Sequence, residues 1–259
     1  MYDKHIEEIG MITLITSIQN QQVKAWKKLK QRKYRKQTGT FIVEGFHLVE
    51  EAYNSNWNIE TILIQENVVH PEWADKLSIT TLSANVFKEI AETKTPQGIA
   101  AVVNVKESVM LTTGTTLLLD AVQDPGNVGT MIRTADALGF SQVVLGKGCA
   151  DLFNEKVVRA SQGSIFHLPV IEADLENILS ILQKEKYIIW ASTLEQAIPL
   201  TEATFTHHTA LIVGNEGEGV SRELLELADK KVKIPIAGQA ESFNVAVAAG
   251  IMMYAIYNS

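Results

Sequence analysis

The sequence of 259 residues predicts an α/β protein whose C-terminal part is built on a mainly parallel sheet. Two observations predict this class. Strand-like and helix-like segments alternate regularly from Thr115 to the end of the chain. In addition, Thr116–Ala121 is almost continuously apolar, which is typical of a strand covered on both faces. Ligands of such sheets lie at the carboxyl ends of the strands.

Residues 12–106 predict a smaller α/β domain, followed by a linker at 107–114. The helix Gln21–Arg35 is expected to bury Val23, Trp26 and Leu29, with Tyr34 near the same side. A second helix is expected at Gly45–Asn54. Strands are expected at Thr40–Val43, Ile59–Ile64, Thr80–Leu82 and Ile99–Val105.

Residues 115–259 predict the larger domain. Its strands are expected at Thr116–Ala121, Gln142–Gly146, His167–Val170, Ile188–Ser192, Ala210–Gly214 and Lys233–Ile236. Its helices are expected at Asn127–Leu138, Glu155–Gln162, Leu175–Lys184, Leu224–Ala228 and Phe243–Tyr257.

Composition indicates a globular protein, because 46% of the residues are hydrophobic and 20% are charged. One cysteine, Cys149, excludes an intramolecular disulfide and a cysteine-based zinc site, and it is typical of a reducing, cytoplasmic location. The apolar run Phe243–Tyr257 is shorter than the roughly 20 residues that span a bilayer. We therefore expect no membrane span and no metal. The first ten residues carry no pattern, and Met11 is a candidate functional start.

The net charge is −7, but basic residues are concentrated near the N-terminus. Residues 24–36 contain eight basic residues and no acidic one. Such a stripe predicts a surface that contacts nucleic-acid phosphates, although a solvated lysine-rich helix face explains the pattern equally well. The stripe consists of Lys24, Lys27, Lys28, Lys30, Arg32, Lys33, Arg35 and Lys36.

The loop after the first strand of the larger domain reads DAVQDPGNVGTMIRTADALGF. Asn127 is expected to cap the helix that follows the Pro-Gly turn. Arg133 lies two turns into that helix, on a face of otherwise small or apolar residues. Taken alone, the segment is also explained as a capped helix with an exposed arginine paired to Asp124 or Asp136.

A second loop, GNEGEG, follows the strand Ala210–Gly214. Its three glycines allow the backbone to approach a ligand closely. Neither the dinucleotide fingerprint nor the P-loop is present, and Glu216 and Glu218 disfavour an anionic ligand. The sulfonium and adenosyl groups of S-adenosylmethionine would suit this loop. A glycine-rich turn with solvated glutamates is the alternative.

The third loop reads IPIAGQAESFNVAVAAGI. Ser242 is expected to cap the last helix, with Asn244 inside its first turn. Small residues in this helix permit close contact with another helix. Taken alone, the segment is also explained as a buried terminal helix.

Together and in this order, Asn127 with Arg133, GNEGEG, and IPIAG followed by ESFNVAVA resemble the three motifs of the SpoU–TrmH branch of the knotted SPOUT methyltransferases. The resemblance covers about 115–257. The basic helix followed by FIVEG, and TPQGIAAVV at Thr95–Val103, are similar to the L30e/L7Ae-type RNA-binding domain that many members carry.

The resemblance implies a deep trefoil knot that holds S-adenosylmethionine mostly through backbone groups. It implies cofactor contacts at Thr193, Gly214, Ile234 and Phe243. It also implies a homodimer formed through the C-terminal domain, in which one subunit's arginine serves the cofactor of the other. The implied catalytic set is Asn127, Arg133, Glu216, Ser242 and Asn244.

The activity implied is methylation of a ribose 2′-hydroxyl in structured RNA, with 23S ribosomal RNA favoured over transfer RNA. Arg133 would either activate the hydroxyl or clamp a phosphate and stabilise the developing alkoxide. Two alternatives stay open: a non-catalytic RNA-binding homologue that acts in ribosome assembly or resistance, and a doubly wound enzyme for a nucleotide or metabolite without an RNA partner.

Overall fold

The computed structural model describes residues 14–259, so the predictions for the first ten residues and Met11 lie outside the described residues. The chain divides into two compact units. Among the described residues, the first comprises 14–49 together with Asn58–Asn104, and the second comprises Glu50–Trp57 and Val105–Ser259. Within 14–259, no helix has the length and apolarity needed to cross a membrane. The same residues contain no group of three potential ligands that could hold a metal ion.

The first unit contains a five-stranded mixed sheet and the helices that cover it. Its strands are β1 (Leu14–Ile15), β2 (Thr40–Glu44), β3 (Ile59–Gln65), β4 (Ile79–Leu82) and β5 (Ile99–Asn104). Its helices are α1 (Gln21–Lys28), α2 (Arg32–Thr38) and α4 (Ala84–Ile90), with a 3₁₀ helix at Glu72–Lys76. Helix α3 (Phe46–Asn54) begins in this unit and ends in the second. The strand order is β1-β4-β3-β5-β2. Val23, Trp26 and Leu29 are buried in its core, as predicted.

The second unit contains a seven-stranded sheet in which every strand pairing is parallel. Its strands are β6 (Thr116–Leu119), β7 (Gln142–Leu145), β8 (Val170–Glu172), β9 (Ile188–Ser192), β10 (Ile198–Pro199), β11 (Thr209–Val213) and β12 (Lys230–Lys233). Its helices are α5 (Pro125–Ala137), α6 (Glu155–Ser161), α7 (Ser164–His167), α8 (Leu175–Lys184), α9 (Arg222–Leu227) and α10 (Val245–Tyr257), with a 3₁₀ helix at Leu200–Glu202. The strand order is β10-β12-β9-β11-β6-β7-β8. The predicted α/β class with a parallel C-terminal sheet is therefore confirmed.

The predicted helix Gln21–Arg35 is divided into α1 and α2. Arg35 is only 5% exposed, and its Nη1 donates hydrogen bonds to the carbonyl oxygens of Leu29 (2.7 Å) and Lys30 (2.9 Å). Carbonyls at a helix end need such donors because no intrahelical partner remains for them. Arg35 therefore stabilises the break between the helices, and the prediction that it contacts RNA is wrong.

Two strands of the second unit are displaced from their predicted positions. Strand β12 begins three residues before the predicted Lys233–Ile236 and shares only Lys233 with it, because Pro235 has no N–H to donate to a neighbouring strand. Strand β8 begins at the last residue of the predicted His167–Val170, because residues 164–167 form α7 and bury the apolar pair Ile165 and Phe166 instead. Apolar runs this short do not distinguish a strand from a helical turn.

Candidate active site

Three of the predicted cofactor positions lie beside one another at the carboxyl edge of the parallel sheet. Thr193 directly follows β9, Gly214 follows β11 and Ile234 follows β12. These strands are neighbours in the order β12-β9-β11. Since paired strands lie about 4.8 Å apart, the three backbone positions span roughly 10 Å. This is the edge at which parallel sheets bind ligands.

The loop after β6 turns directly into α5. Asp124 caps this helix, because its Oδ1 accepts the backbone N–H of Asn127 at 2.8 Å, and Pro125 occupies the first helical position, which suits its fixed φ. The prediction that Asn127 is the cap is therefore wrong. The side chain of Asn127 remains available for contacts with other loops.

Asn127 joins all three loops. Its Nδ2 donates to Glu216 Oε1 at 3.1 Å in the glycine-rich loop, and its Oδ1 accepts from Asn244 Nδ2 at 3.2 Å before the last helix. Glu216 also accepts the backbone N–H groups of Gln123 (3.2 Å) and Asp124 (3.1 Å). The loops that follow β6, β11 and β12 therefore meet in one hydrogen-bonded network.

The network sets the orientation of both amides. An ionised Glu216 only accepts hydrogen bonds, so Asn127 must present its NH₂ to the carboxylate and its oxygen to Asn244. Asn244 then directs its own oxygen to the backbone N–H groups of Ala246 (3.0 Å) and Val247 (3.3 Å) and caps α10. Asn244, and not Ser242, is the cap of this helix. Ser242 is exposed two residues before it.

Partial burial acts to raise the pKa of Glu216, but its hydrogen bonds outweigh this effect. Donation by the Asn127 amide and by the backbone N–H groups of Glu216 itself, Asp124 and Gln123 lowers the pKa below the ordinary value for glutamate. Glu216 is therefore ionised near neutral pH, which makes it a poor proton donor or acceptor there. Its role is to hold Asn127 and the first loop.

We expect Glu216→Gln to lower the rate of the reaction at this site by about 10–100-fold, because an amide supplies one acceptor oxygen where the carboxylate supplies two. Because the pKa of Glu216 is lowered in the folded state, the hydrogen bonds of its carboxylate stabilise the site fully above the ordinary glutamate pKa. This stabilisation is lost as the pH falls through the lowered pKa, and the reaction rate should fall with it. The pH dependence of the single-turnover rate should show this acid limb in the wild type and lack it in Glu216→Gln. An identical limb in both proteins would contradict the assignment.

Arg133 lies on α5 outside this network. It follows Asn127 by six residues, which places the two about 9 Å apart along the helix axis and about 120° apart around it. Its side chain is exposed and makes no hydrogen bond or ion pair with any of residues 14–259. Asp124 instead caps α5, and Asp136 Oδ2 contacts His167 at 3.1 Å, so neither is the ion-pair partner that the simpler explanation required.

The basic stripe of the first unit is partly neutralised. Lys27 forms an ion pair with Glu89, and Lys30 Nζ lies 3.0 Å from Glu92 Oε1. The pKa of the Glu89 carboxyl is lowered by its hydrogen bond to Lys27. Five further members of the stripe have exposed side chains: Lys24, Lys28, Arg32, Lys33 and Lys36.

Two positions that hold the loops together were absent from the predicted site. Asp120 Oδ2 accepts the backbone N–H of Ser221 at 2.7 Å, and Asn215 Nδ2 donates to the carbonyl oxygen of Ala121 at 2.8 Å. Both are polar residues beside the end of a buried strand, a signal that the sequence did contain.

Comparison with known proteins identifies the family of this chain. The model of the SpoU rRNA Methylase family matches residues 114–254, and the MRM3-like substrate binding domain matches residues 20–101. The chain belongs to the SpoU rRNA Methylase family. Both SpoU motifs that supply Glu216 and Asn244 lie within the matched region.

Individual relatives resemble almost the whole length of this SpoU family member. The 23S rRNA (guanosine(2553)-2'-O)-methyltransferase RlmP of Bacillus subtilis is 47% identical over 241 residues, covering 93% of this chain and 97% of RlmP. A crystal structure of an AdoMet-bound rRNA methyltransferase from Sinorhizobium meliloti superposes with a TM-score of 0.88 at 30% identity, covering 96% and 98% of the two chains. The SpoU methyltransferase AviRb from Streptomyces viridochromogenes, with AdoMet, gives 0.85 at 26% identity, covering 93% and 98%.

Proposed function

We propose that this protein transfers a methyl group from S-adenosylmethionine to a ribose 2′-hydroxyl of 23S ribosomal RNA, on a guanosine as in the name of the 47% identical relative. The observation that carries the proposal is the joining of three strand-end loops by Asn127 in a SpoU family chain. A ribosomal RNA substrate and one free thiol, Cys149, agree with action in the cytoplasm.

The residues at the sheet edge fit S-adenosylmethionine. Thr193, Gly214 and Ile234 offer backbone groups along a row of strand ends, and Phe243 adds an exposed aromatic ring beside Asn244. No lysine or arginine is among these groups, which suits a cationic ligand better than a phosphate. When bound, the cofactor supplies the methyl group as an electrophile on a sulfonium sulfur.

The protein's own residues contribute position and electrostatics. Arg133 stabilises the negative charge that develops on the ribose oxygen, since a guanidinium with a pKa above ~12 is a poor base near neutral pH. Asn127 and Asn244 hold the loops that surround the reacting groups. Ser242 is exposed near them and is assigned to contact with the RNA or the cofactor.

We further propose that two copies pair through α10. This helix exposes a stripe of large apolar side chains at helical spacing, which a single copy leaves in water. The stripe consists of Val247, Ile251, Tyr254 and Tyr257. Helix α5 packs against the same helix, with Thr134 Cγ2 near Gly250. Arg133 is adjacent to Thr134 and therefore lies near α10, and it points away from Asn127 of its own subunit. In a dimer formed through α10, Arg133 is available to the site of the partner.

The first unit, matched by a substrate binding domain, is proposed to grip RNA phosphates with its basic stripe. We expect the double variant Lys24→Glu with Lys33→Glu to bind RNA more weakly. The slope of the logarithm of RNA affinity against the logarithm of salt concentration (the salt slope) should fall in magnitude by about 2, because each lysine–phosphate contact releases a counterion. Both side chains are exposed. Measuring RNA affinity from low to moderate salt concentration tests this prediction. The affinity for S-adenosylmethionine should be unchanged.

The matched control is Lys184→Glu with Lys186→Glu, two exposed lysines of the second unit. Reversal of Lys27 or Lys30 is less informative, because it would also replace an attraction to Glu89 or Glu92 by a repulsion. An unchanged salt slope in the Lys24 and Lys33 variant would exclude these lysines as phosphate contacts.

The proposed activity is tested by mapping ribose methylation in total RNA from cells with and without the gene. We expect one 2′-O-methylated guanosine of 23S rRNA to disappear and to return with the wild-type gene. A change confined to transfer RNA would overturn the substrate, and an unchanged methylation map would favour a non-catalytic RNA-binding protein.

A further inference from the structure

Ala121 has an unusual backbone conformation at the start of the first loop. Its φ is +53°, in the left-handed region, where an L-residue with a Cβ costs roughly 1–2 kcal/mol. The other non-glycine residues with positive φ in the described chain are Asn, Gln or Lys. Because the Ala121 side chain cannot form a hydrogen bond, this conformation must be stabilised by its surroundings.

Asn215 supplies that stabilisation through its whole side chain. Its Nδ2 donates to the carbonyl oxygen of Ala121 at 2.8 Å, and its Oδ1 accepts the N–H groups of Gly217 (2.8 Å) and Glu218 (3.2 Å). Its backbone exchanges two hydrogen bonds with Gly219. One residue thus closes the glycine-rich turn and fastens it to the first loop.

The backbone of the glycine-rich turn is fixed relative to the first loop. A Cβ on Gly214 would meet the carbonyl carbon of Gly219 at 2.0 Å, so the backbone of the turn is folded directly onto this position. On the opposite side, Asp120 Oδ2 holds the N–H of Ser221. Both ends of the turn are therefore anchored to the segment that contains Ala121.

The Asn215–Ala121 contact positions both the Glu216 carboxylate and the backbone N–H groups that donate hydrogen bonds to it. Glu216 is the next residue after Asn215, and the N–H groups that it accepts belong to Gln123 and Asp124, two and three residues after Ala121. Those N–H groups are directed by the turn at Ala121. Asn127, and through it Asn244, depends on the same geometry.

We infer that Asn215 is a positioning residue of the methyl-transfer site, which holds Ala121 in its left-handed conformation and so aligns Glu216 with Asn127. It acts through other residues and touches no reacting atom. The inference rests on the proposed function, because in-line transfer loses about 100-fold in rate when groups are misplaced by about 1 Å.

The sharpest variant is Asn215→Asp. It keeps the acceptor oxygen that closes the turn and removes the NH₂ that binds Ala121. We expect kcat to fall tenfold or more, with the melting temperature and the affinity for S-adenosylmethionine changed little. The acid limb of the rate should move to higher pH in Asn215→Asp, because Glu216 loses aligned donors and gains a neighbouring carboxylate, and Asn215→Ser isolates the first cause because it adds no charge. Hydrogen exchange of the peptide covering 121–127 should become faster.

Asn154→Asp is the matched control, because Asn154 also accepts a backbone N–H, from Lys156, but caps α6 outside the network. If Asn215→Asp fails to fold, Asn215→Ser, with a short acceptor and no NH₂, gives the same test. Unchanged kcat or unchanged exchange in a folded Asn215 variant would overturn the inference. An inactive wild type whose exchange still responds to Asn215→Asp would instead overturn the proposed function.

Discussion

Arg133→Ala is expected to slow methyl transfer by about 10²–10³-fold while leaving the affinity for S-adenosylmethionine largely intact. Loss of one preorganised group that stabilises developing charge lowers rates by about 10²–10³-fold. The cofactor should still bind, because the proposed contacts are backbone groups at the ends of β9, β11 and β12. Single-turnover transfer of a labelled methyl group and calorimetric titration of the cofactor measure the two effects separately.

Arg159→Ala, which removes an exposed arginine from α6, is the control and should retain full activity. A mixture of Arg133→Ala and Asn127→Ala subunits tests the shared site. If the arginine acts on the partner's site, each mixed dimer contains one intact site, and random exchange should restore about a quarter of wild-type activity. No restoration would mean that Arg133 acts within its own subunit. Near-normal turnover of Arg133→Ala would refute its role.

Ile251→Asp is expected to convert the protein to monomers and to remove activity with them. Ile251 is 38% exposed within the apolar stripe of α10, where a second copy would bury it. A carboxylate buried there without a partner costs several kcal/mol, enough to dissociate a dimer. Light scattering after size-exclusion chromatography reports the mass, and the labelled-methyl assay reports the activity.

Ile181→Asp is the matched control, since Ile181 on α8 is 41% exposed but lies outside the stripe. It should leave both mass and activity unchanged. A dimeric Ile251→Asp protein would show that α10 is not the interface. A monomer with full activity would show that the site is complete in one copy.

The helices and strands were predictable where local pattern decides them. The continuous apolar strands β6 and β11 and the buried face of α1 follow directly from residue type and spacing. The prediction was wrong at the break after α1, because Arg35 reaches back to the carbonyl of Leu29 across six positions. The predicted position of β12 was also displaced, because this lysine-rich strand buries only Val232 and so has no apolar pattern to mark it. The trefoil knot stays a prediction from the resemblance, because residue spacing does not reveal how a chain threads.

By itself, the sequence determined the class of the fold and the three loops, because glycines and polar residues at strand ends are local features. Only the tertiary structure decided which of those residues meet. Asn127 contacts Glu216 and Asn244 across 89 and 117 positions of the chain, because parallel strands bring their carboxyl ends to one edge. It likewise decided that Asp124 and Asn244 are the helix caps, since capping depends on where the backbone turns and not on residue type alone.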